Sequence, residues 1–171
     1  MCYTCFAESN LGKSQIQKAI EKAQKPRLDL ERLIEEKQSE SILKNILNQL
    51  KTNTHEYVRI RDKGKDCISC STSWKDSFQA GHFYKSETNS ILRYNIKNIH
   101  SQCVQCNIHN DGNESGYRVG LLNRFNEAYV SQLDKIAIVG KRTTIKLSII
   151  EAKEMLKEIR LKLKELKKNN E

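Results

Sequence analysis

The chain has 171 residues, a formal net charge of +9, 37% hydrophobic and 30% charged residues, with 7 glycines and one proline. That length gives one domain, or a small core with helical extensions, and so few chain breakers favour long helices over a many-turned β-sandwich. The longest uncharged apolar run, Ile136–Val139, is too short for a membrane span, and the Met1–Cys5 end lacks the basic and apolar regions of a signal peptide.

A cytoplasmic location is therefore expected, with no membrane partner. The 6 cysteines should be thiols or metal ligands rather than disulfides. The cationic excess is a weak pointer to nucleic acid, since mixed-sign charge more often means only a solvated surface.

Residues 1–26 form an N-terminal segment with a lone Cys2–Cys5 CxxC pair and a short helical pattern at Ile16, Ala19, Ile20 and Ala23, punctuated by Pro26. Residues 27–65 read as a helical arm. Leu30, Leu33 and Ile34, then Leu43, Ile46, Leu47, Leu50, Tyr57 and Ile60, recur in steps of three and four. The polar gap from Glu35 to Ser41 predicts a break or a solvated turn, and Gly64 a helix stop. Residues 66–126 change character, with four of the cysteines, little helical period before Cys103, and strand-like pieces at Gln79–Tyr84 and Ile91–Tyr94. Tyr117, Leu121, Leu122 and Phe125 then mark a helix. In residues 127–171 Gly140 predicts a break and Ser148 with Glu151 a capping box. Ile149, Ala152, Leu156, Ile159, Leu163 and Leu166 form a heptad seam. That seam either docks on the chain's own core or pairs two chains, with the Leu43–Ile60 stripe as a second dimer surface.

Cys67-Ile68-Ser69-Cys70 and Cys103-Val104-Gln105-Cys106 are two CxxC knuckles about thirty residues apart. Structural zinc takes four thiolates in a tetrahedron, and each knuckle offers two on one tight turn. Such a site predicts Zn²⁺ on Cys67, Cys70, Cys103 and Cys106, and it supplies folding free energy to a core-poor segment. A half-site cannot close a tetrahedron, so Cys2 and Cys5 are either free thiols or ligands of an ion shared between chains.

Around the knuckles stand Ala80-Gly81-His82, Asn98-Ile99-His100, Asn107 and His109. Their order resembles the HNH, or ββα-metal, nucleases. The expected fold is therefore α+β: a small zinc-stapled ββα core with long flanking α-helices. Leu92-Arg93-Tyr94-Asn95, the run Asn98 to His109, Gly112-Asn113 and Tyr117-Arg118 extend the likeness. Over about Tyr57 to Phe125 the chain resembles the NinG/Rap recombination endonucleases of lambda-like bacteriophages. The resemblance implies a DNA nuclease acting on branched recombination intermediates such as Holliday junctions and D-loops.

Phosphodiester hydrolysis needs an activated water and stabilisation of the leaving oxygen. On that reading His82 is the general base, and Asn107 is a ligand of a catalytic Mg²⁺ or Mn²⁺. Asn98 holds the loop that carries His82. His100 and His109 compete for a further ligand role. HNH nucleases commonly carry an Asp immediately before the base, where this chain has Gly81, so Asp111, His109 or His100 must replace it. Lys85, Arg93 and Arg118 are the candidate DNA contacts, mostly to phosphate, with Arg59, Arg61, Lys63 and Lys65 more distant. Two nicks on a two-fold junction suggest a homodimer. The alternatives are a non-catalytic zinc-dependent DNA-binding module and a general or sequence-specific HNH nuclease.

Overall fold

The computed structural model describes Thr4, residues 8–141 and residues 145–169. Cys2 and Cys5 lie outside the described residues. The chain divides into two compact units, Met1–Ile42 and Leu43–Glu171.

Helix α1, Asn10–Arg61, crosses that division. Its first part, in the first unit, runs through both Pro26 and the Glu35–Ser41 gap, where the sequence suggested punctuation. Leu28, Leu30, Leu33 and Ile34 are exposed there, so among the described residues no core fixes the segment. Local pairs support it instead, Gln17 to Glu21 and Arg27 to Glu31, both at i,i+4. After Arg61, Gly64 turns the chain at φ +77, as a helix stop requires.

The second unit is α+β. Strands β1, Gln79–His82, and β2, Ile99–Gln102, pair antiparallel, with Gly81 opposite His100 and His82 opposite Ile99. Residues Ile91–Tyr94 form no strand. Ser90–Leu92 is a 3₁₀ turn whose Leu92 is buried in the core. The real second strand escaped the sequence pattern because three of its four buried residues are polar: His100, Ser101 and Gln102 are all enclosed. Such residues stand inside only when hydrogen-bonded. Asp62 meets part of that demand, accepting from Ser101 N at 3.1 Å and from Arg61 Nη2.

A π-helical turn, Gln105–His109, follows the second knuckle. Helices α2 (Glu114–Arg124), α3 (Glu127–Lys141) and α4 (Ile149–Lys168) complete the chain. One core joins Ile68, Phe83 and Leu92 to Tyr117 and Leu121 of α2 and to Val130, Leu133 and Ala137 of α3. Helix α2 lies directly on the first knuckle. A Cβ at Gly116 would stand 2.3 Å from Ser69 O, and one at Gly120 would stand 1.6 Å from Ile68 O. Gly140 does not break α3. It sits in the last turn, where the absent side chain admits Asn89, whose Nδ2 donates to Ala137 O.

The capping box at the start of α4 is present in both directions, Ser148 Oγ to Glu151 N and Glu151 Oε2 to Ser148 N. The heptad seam faces inward. Ala152, Leu156 and Ile159 pack with Ile46 and Leu50 of α1, and Leu163 is buried too. Of the two outcomes the sequence left open for this seam, the structure shows docking on the chain's own core. The Leu43–Ile60 stripe is the partner that covers it. No helix among the described residues is long and apolar enough to cross a membrane.

Candidate functional site

The two knuckles meet. The Sγ atoms of Cys67, Cys70, Cys103 and Cys106 all lie within 4.8 Å of one another, with Cys70 and Cys103 at 3.7 Å. Tetrahedral zinc–thiolate bonds of ~2.3 Å would separate the sulfurs by ~3.8 Å, so the donor set fits a zinc ion. Backbone N–H groups already point at the sulfurs, Cys103 N at Cys67 Sγ and Cys106 N at Cys103 Sγ. Asn113 Nδ2 donates to Cys106 Sγ. Burial pushes the Cys106 thiol up to about 12 and raises that of Cys67. At Cys70 burial acts the same way, but hydrogen bonds led by Thr72 overcome it and lower the thiol to about 7. A divalent cation would relieve the cost of holding four thiols together.

His82 ends β1 beside two adjoining cavities that share His82, Ser86 and Glu87. One, about 230 Å³, is lined also by Lys85, Asn107, Asp111 and Gly112. The other, about 220 Å³, is lined also by Lys51, His55, Arg93 and Tyr94. Burial holds the His82 imidazole below its ordinary value. Its Nε2 lies 2.9 Å from Arg93 O. A carbonyl only accepts, so Nε2 carries the proton and Nδ1 keeps a lone pair. Among the described residues Nδ1 has no hydrogen-bond partner.

Asn98, 0% exposed, fixes the loop after His82. Its Oδ1 accepts from Tyr84 N at 2.9 Å, and its Nδ2 donates to Tyr84 O at 2.9 Å and Leu92 O at 3.2 Å. Asn107 donates through Nδ2 to Gln79 Oε1 at 2.7 Å, leaving Oδ1 as an acceptor close to Gly81. Asp111, held at φ +49, places its carboxylate in the same cavity and pairs with Lys85 Nζ. Asn107 and Asp111 thus both line the first cavity.

Four of the sequence-based candidates stand apart from these cavities or are engaged elsewhere. His100 is 0% exposed. Its Nδ1 lies 3.0 Å from Arg61 Nη2 and its Nε2 3.1 Å from Lys97 O, so neither nitrogen is open to an ion. Burial, outweighing the neighbouring Asp62, keeps the ring neutral. His109 is exposed at the end of the π-helical turn and lines neither cavity. Arg118 is occupied structurally: both terminal nitrogens bond Asp134 at 2.9 Å, and the guanidinium lies over Phe83. Arg61 is likewise internal, donating to Ile96 O and Ile99 O. Lys85 and Arg93 do stand at the cavities.

His55 is the residue that sequence reasoning missed. It comes from α1, and its ring meets that of His82 edge-on at 5.8 Å and 63°. Burial first, then His82, Lys51 and Arg59, lower it to about 4. The available signal was the i,i+4,i+8 row of Lys51, His55 and Arg59 on one helical face.

The family model described as Bacteriophage Lambda NinG protein matches residues 2–171. Protein ninG of Escherichia phage lambda is 33% identical over 121 residues, covering 71% of this chain and 57% of that protein. Protein ninG of Salmonella phage P22 is 34% identical over 121 residues, with the same two shares of 71% and 57%. Protein ninG of Escherichia phage 933W is 36% identical over 88 residues, 52% of this chain and 44% of that protein. The chain thus spans about half the length of the curated relatives it matches. No solved structure matches significantly.

Proposed function

The chain belongs to the NinG family of bacteriophage lambda, and from that premise we propose that it is an HNH-type DNA endonuclease acting on branched recombination intermediates. The observation that carries the reading is the state of His82. One nitrogen is fixed as a donor to a backbone carbonyl, and the other is open, on a ring kept neutral by burial. That is the condition of a general base near neutral pH.

In this reading Asn107 Oδ1 and Asp111 would hold a divalent Mg²⁺ or Mn²⁺ ion, which would supply Lewis-acid stabilisation of charge on the scissile phosphate. His82 Nδ1 takes the proton of the attacking water. Arg93 O keeps the ring in the productive tautomer through Nε2–H. Asn98 sets the orientation of the loop, and Lys85 beside Asp111 meets a phosphate oxygen. Zinc on Cys67, Cys70, Cys103 and Cys106 would have no part in the chemistry; it would fix β2 and the π-helical turn that presents Asn107. A four-way junction needs two nicks, so the reading includes a homodimer, through a surface other than the α4 seam.

The test is cutting of linear, forked and four-way DNA by the zinc-loaded protein with Mg²⁺ or Mn²⁺. His82→Ala should lower the rate by about 10²–10⁴ while DNA binding persists. Undiminished cutting by that variant would remove His82 from the mechanism. Binding without cutting by the unaltered protein, under every metal, would leave a zinc-dependent DNA-binding module. Equal cutting of linear and branched DNA would leave a general HNH nuclease.

A further inference from the structure

The second cavity at His82 has no task in that mechanism. We propose that Lys51, His55 and Arg93 form a phosphate-holding subsite, which takes a phosphodiester adjoining the scissile one. The proposal rests on the nuclease reading for its substrate, but the anion chemistry of the cavity stands on its own residues.

The walls are cationic. Lys51 and Arg93 face a cavity whose carboxylate, Glu87, is exposed and bonded to Ser86 Oγ. Among the described residues Lys51 forms no ion pair. Arg93 donates through Nε and Nη2 to Ser86 O, which anchors the guanidinium and, among the described residues, leaves Nη1 for a ligand. His55 stands between Lys51 and Arg59 along the helix and against His82. An unsatisfied cluster of this sign suits a multiply accepting oxyanion, and the ammonium, imidazole and guanidinium groups can all donate to it.

The position suits the flanking phosphate rather than the reacting one. The two cavities share the His82 wall, and Asn107 and Asp111 lie only on the other side of it. A strand whose scissile phosphate sits by Asn107 passes His82 and brings a neighbouring phosphate to Lys51. The α1 face that carries Lys51, His55 and Arg59 then follows the backbone beyond. Such contacts set register and carry no base information, which agrees with a substrate distinguished by shape.

Two measurements test this. In the first, metal-free of Mg²⁺ and Mn²⁺ but zinc-loaded, the protein is titrated with inorganic phosphate while the histidine ring resonances are followed, His55 being assigned with His55→Gln. The expected result is a saturable shift of the His55 ring, with its protonation moved to higher pH, absent in Lys51→Gln and not seen at the exposed His109. In the second, Lys51→Gln and His55→Gln are assayed on branched DNA. Loss of a charge-assisted phosphate contact should raise KM about tenfold or more, with kcat changed far less. Lys51 is exposed, so its variant reads the subsite even where His55→Gln loses stability. An unmoved His55 ring, or a KM unchanged in both variants, overturns the proposal. A collapse of kcat at constant KM overturns it too, because it places these groups at the reacting phosphate. Phosphate binding at His55 in a protein that cuts no DNA supports the subsite and refutes the nuclease reading alone.

Discussion

Asn98→Ala should be among the most damaging single substitutions in the second unit. The side chain is fully enclosed and makes three hydrogen bonds to backbone. Their loss is unequal. Leu92 O keeps a second donor, Asn95 N at 3.2 Å. Tyr84 N–H and C=O lose their Asn98 partners together, and each orphaned group costs about 1–3 kcal/mol. Tyr84 is half-buried, so water can reach part of the gap. The sum is about 2–4 kcal/mol. For a chain of this length that lowers Tm by about 5–15 °C. Thermal melts of the zinc-loaded protein read it, with Asn98→Asp as the informative companion: it keeps the acceptor for Tyr84 N–H and loses both donations. A loss below about 1 kcal/mol in Asn98→Ala would show that the loop after His82 is held by something other than this amide.

Other expectations follow from the same geometry. Elemental analysis should find one zinc per chain, and Cys103→Ala should lose both metal and fold; a metal-loaded, folded variant would remove the four-cysteine site. Gly81→Ala should destabilise by about 1–3 kcal/mol, since the new Cβ would stand 1.9 Å from Gln102 Oε1 and 2.8 Å from Asn107 Oδ1; tolerance of alanine there would show that Gln102 can move aside. His55 is held at about 4 against its ordinary 6.5, so the unfolded chain takes up the proton first. Stability should therefore fall as pH drops through that interval, and His55→Gln should flatten the slope of urea midpoint against pH. A slope unchanged by the substitution would mean that His55 titrates alike in both states.

The parts that could be read in advance are those whose chemistry is local. CxxC spacing states a ligand geometry, a Ser with a Glu three residues on states a cap, and β1 carries its own turn signals. The parts that could not be read depend on tertiary partners. Strand β2 looks unlike a buried strand because His100 and Gln102 enter the core through hydrogen bonds, one to Lys97 O and one to Gly112 O. His55 reaches His82 from a helix far upstream in sequence. The α4 seam had two physically equivalent destinies, and its heptad pattern is the same whether the facing stripe belongs to a twin or, as it does, to α1.

The two imidazoles of the sheet show how little the residue type alone decides. His82 and His100 stand on paired strands, but Gly81, not His82, lies opposite His100, so the two rings leave the sheet on opposite faces. His100 meets Arg61 with one nitrogen and Lys97 O with the other, and its work is to let a polar strand enter the core. His82 meets a single carbonyl and keeps its second nitrogen open. Hydrogen-bond accounting therefore separates an imidazole with both nitrogens engaged from one with a nitrogen left open, where proximity to the cysteine knuckles does not. It also explains the glycine before His82. An aspartate in its place would drive a side chain into Gln102, itself 0% exposed and held by Ser69 and Gly112. With that position crowded by Gln102, the carboxylates lining the cavity belong instead to Glu87 and to Asp111, the latter presented by the left-handed backbone that follows the π-helical turn.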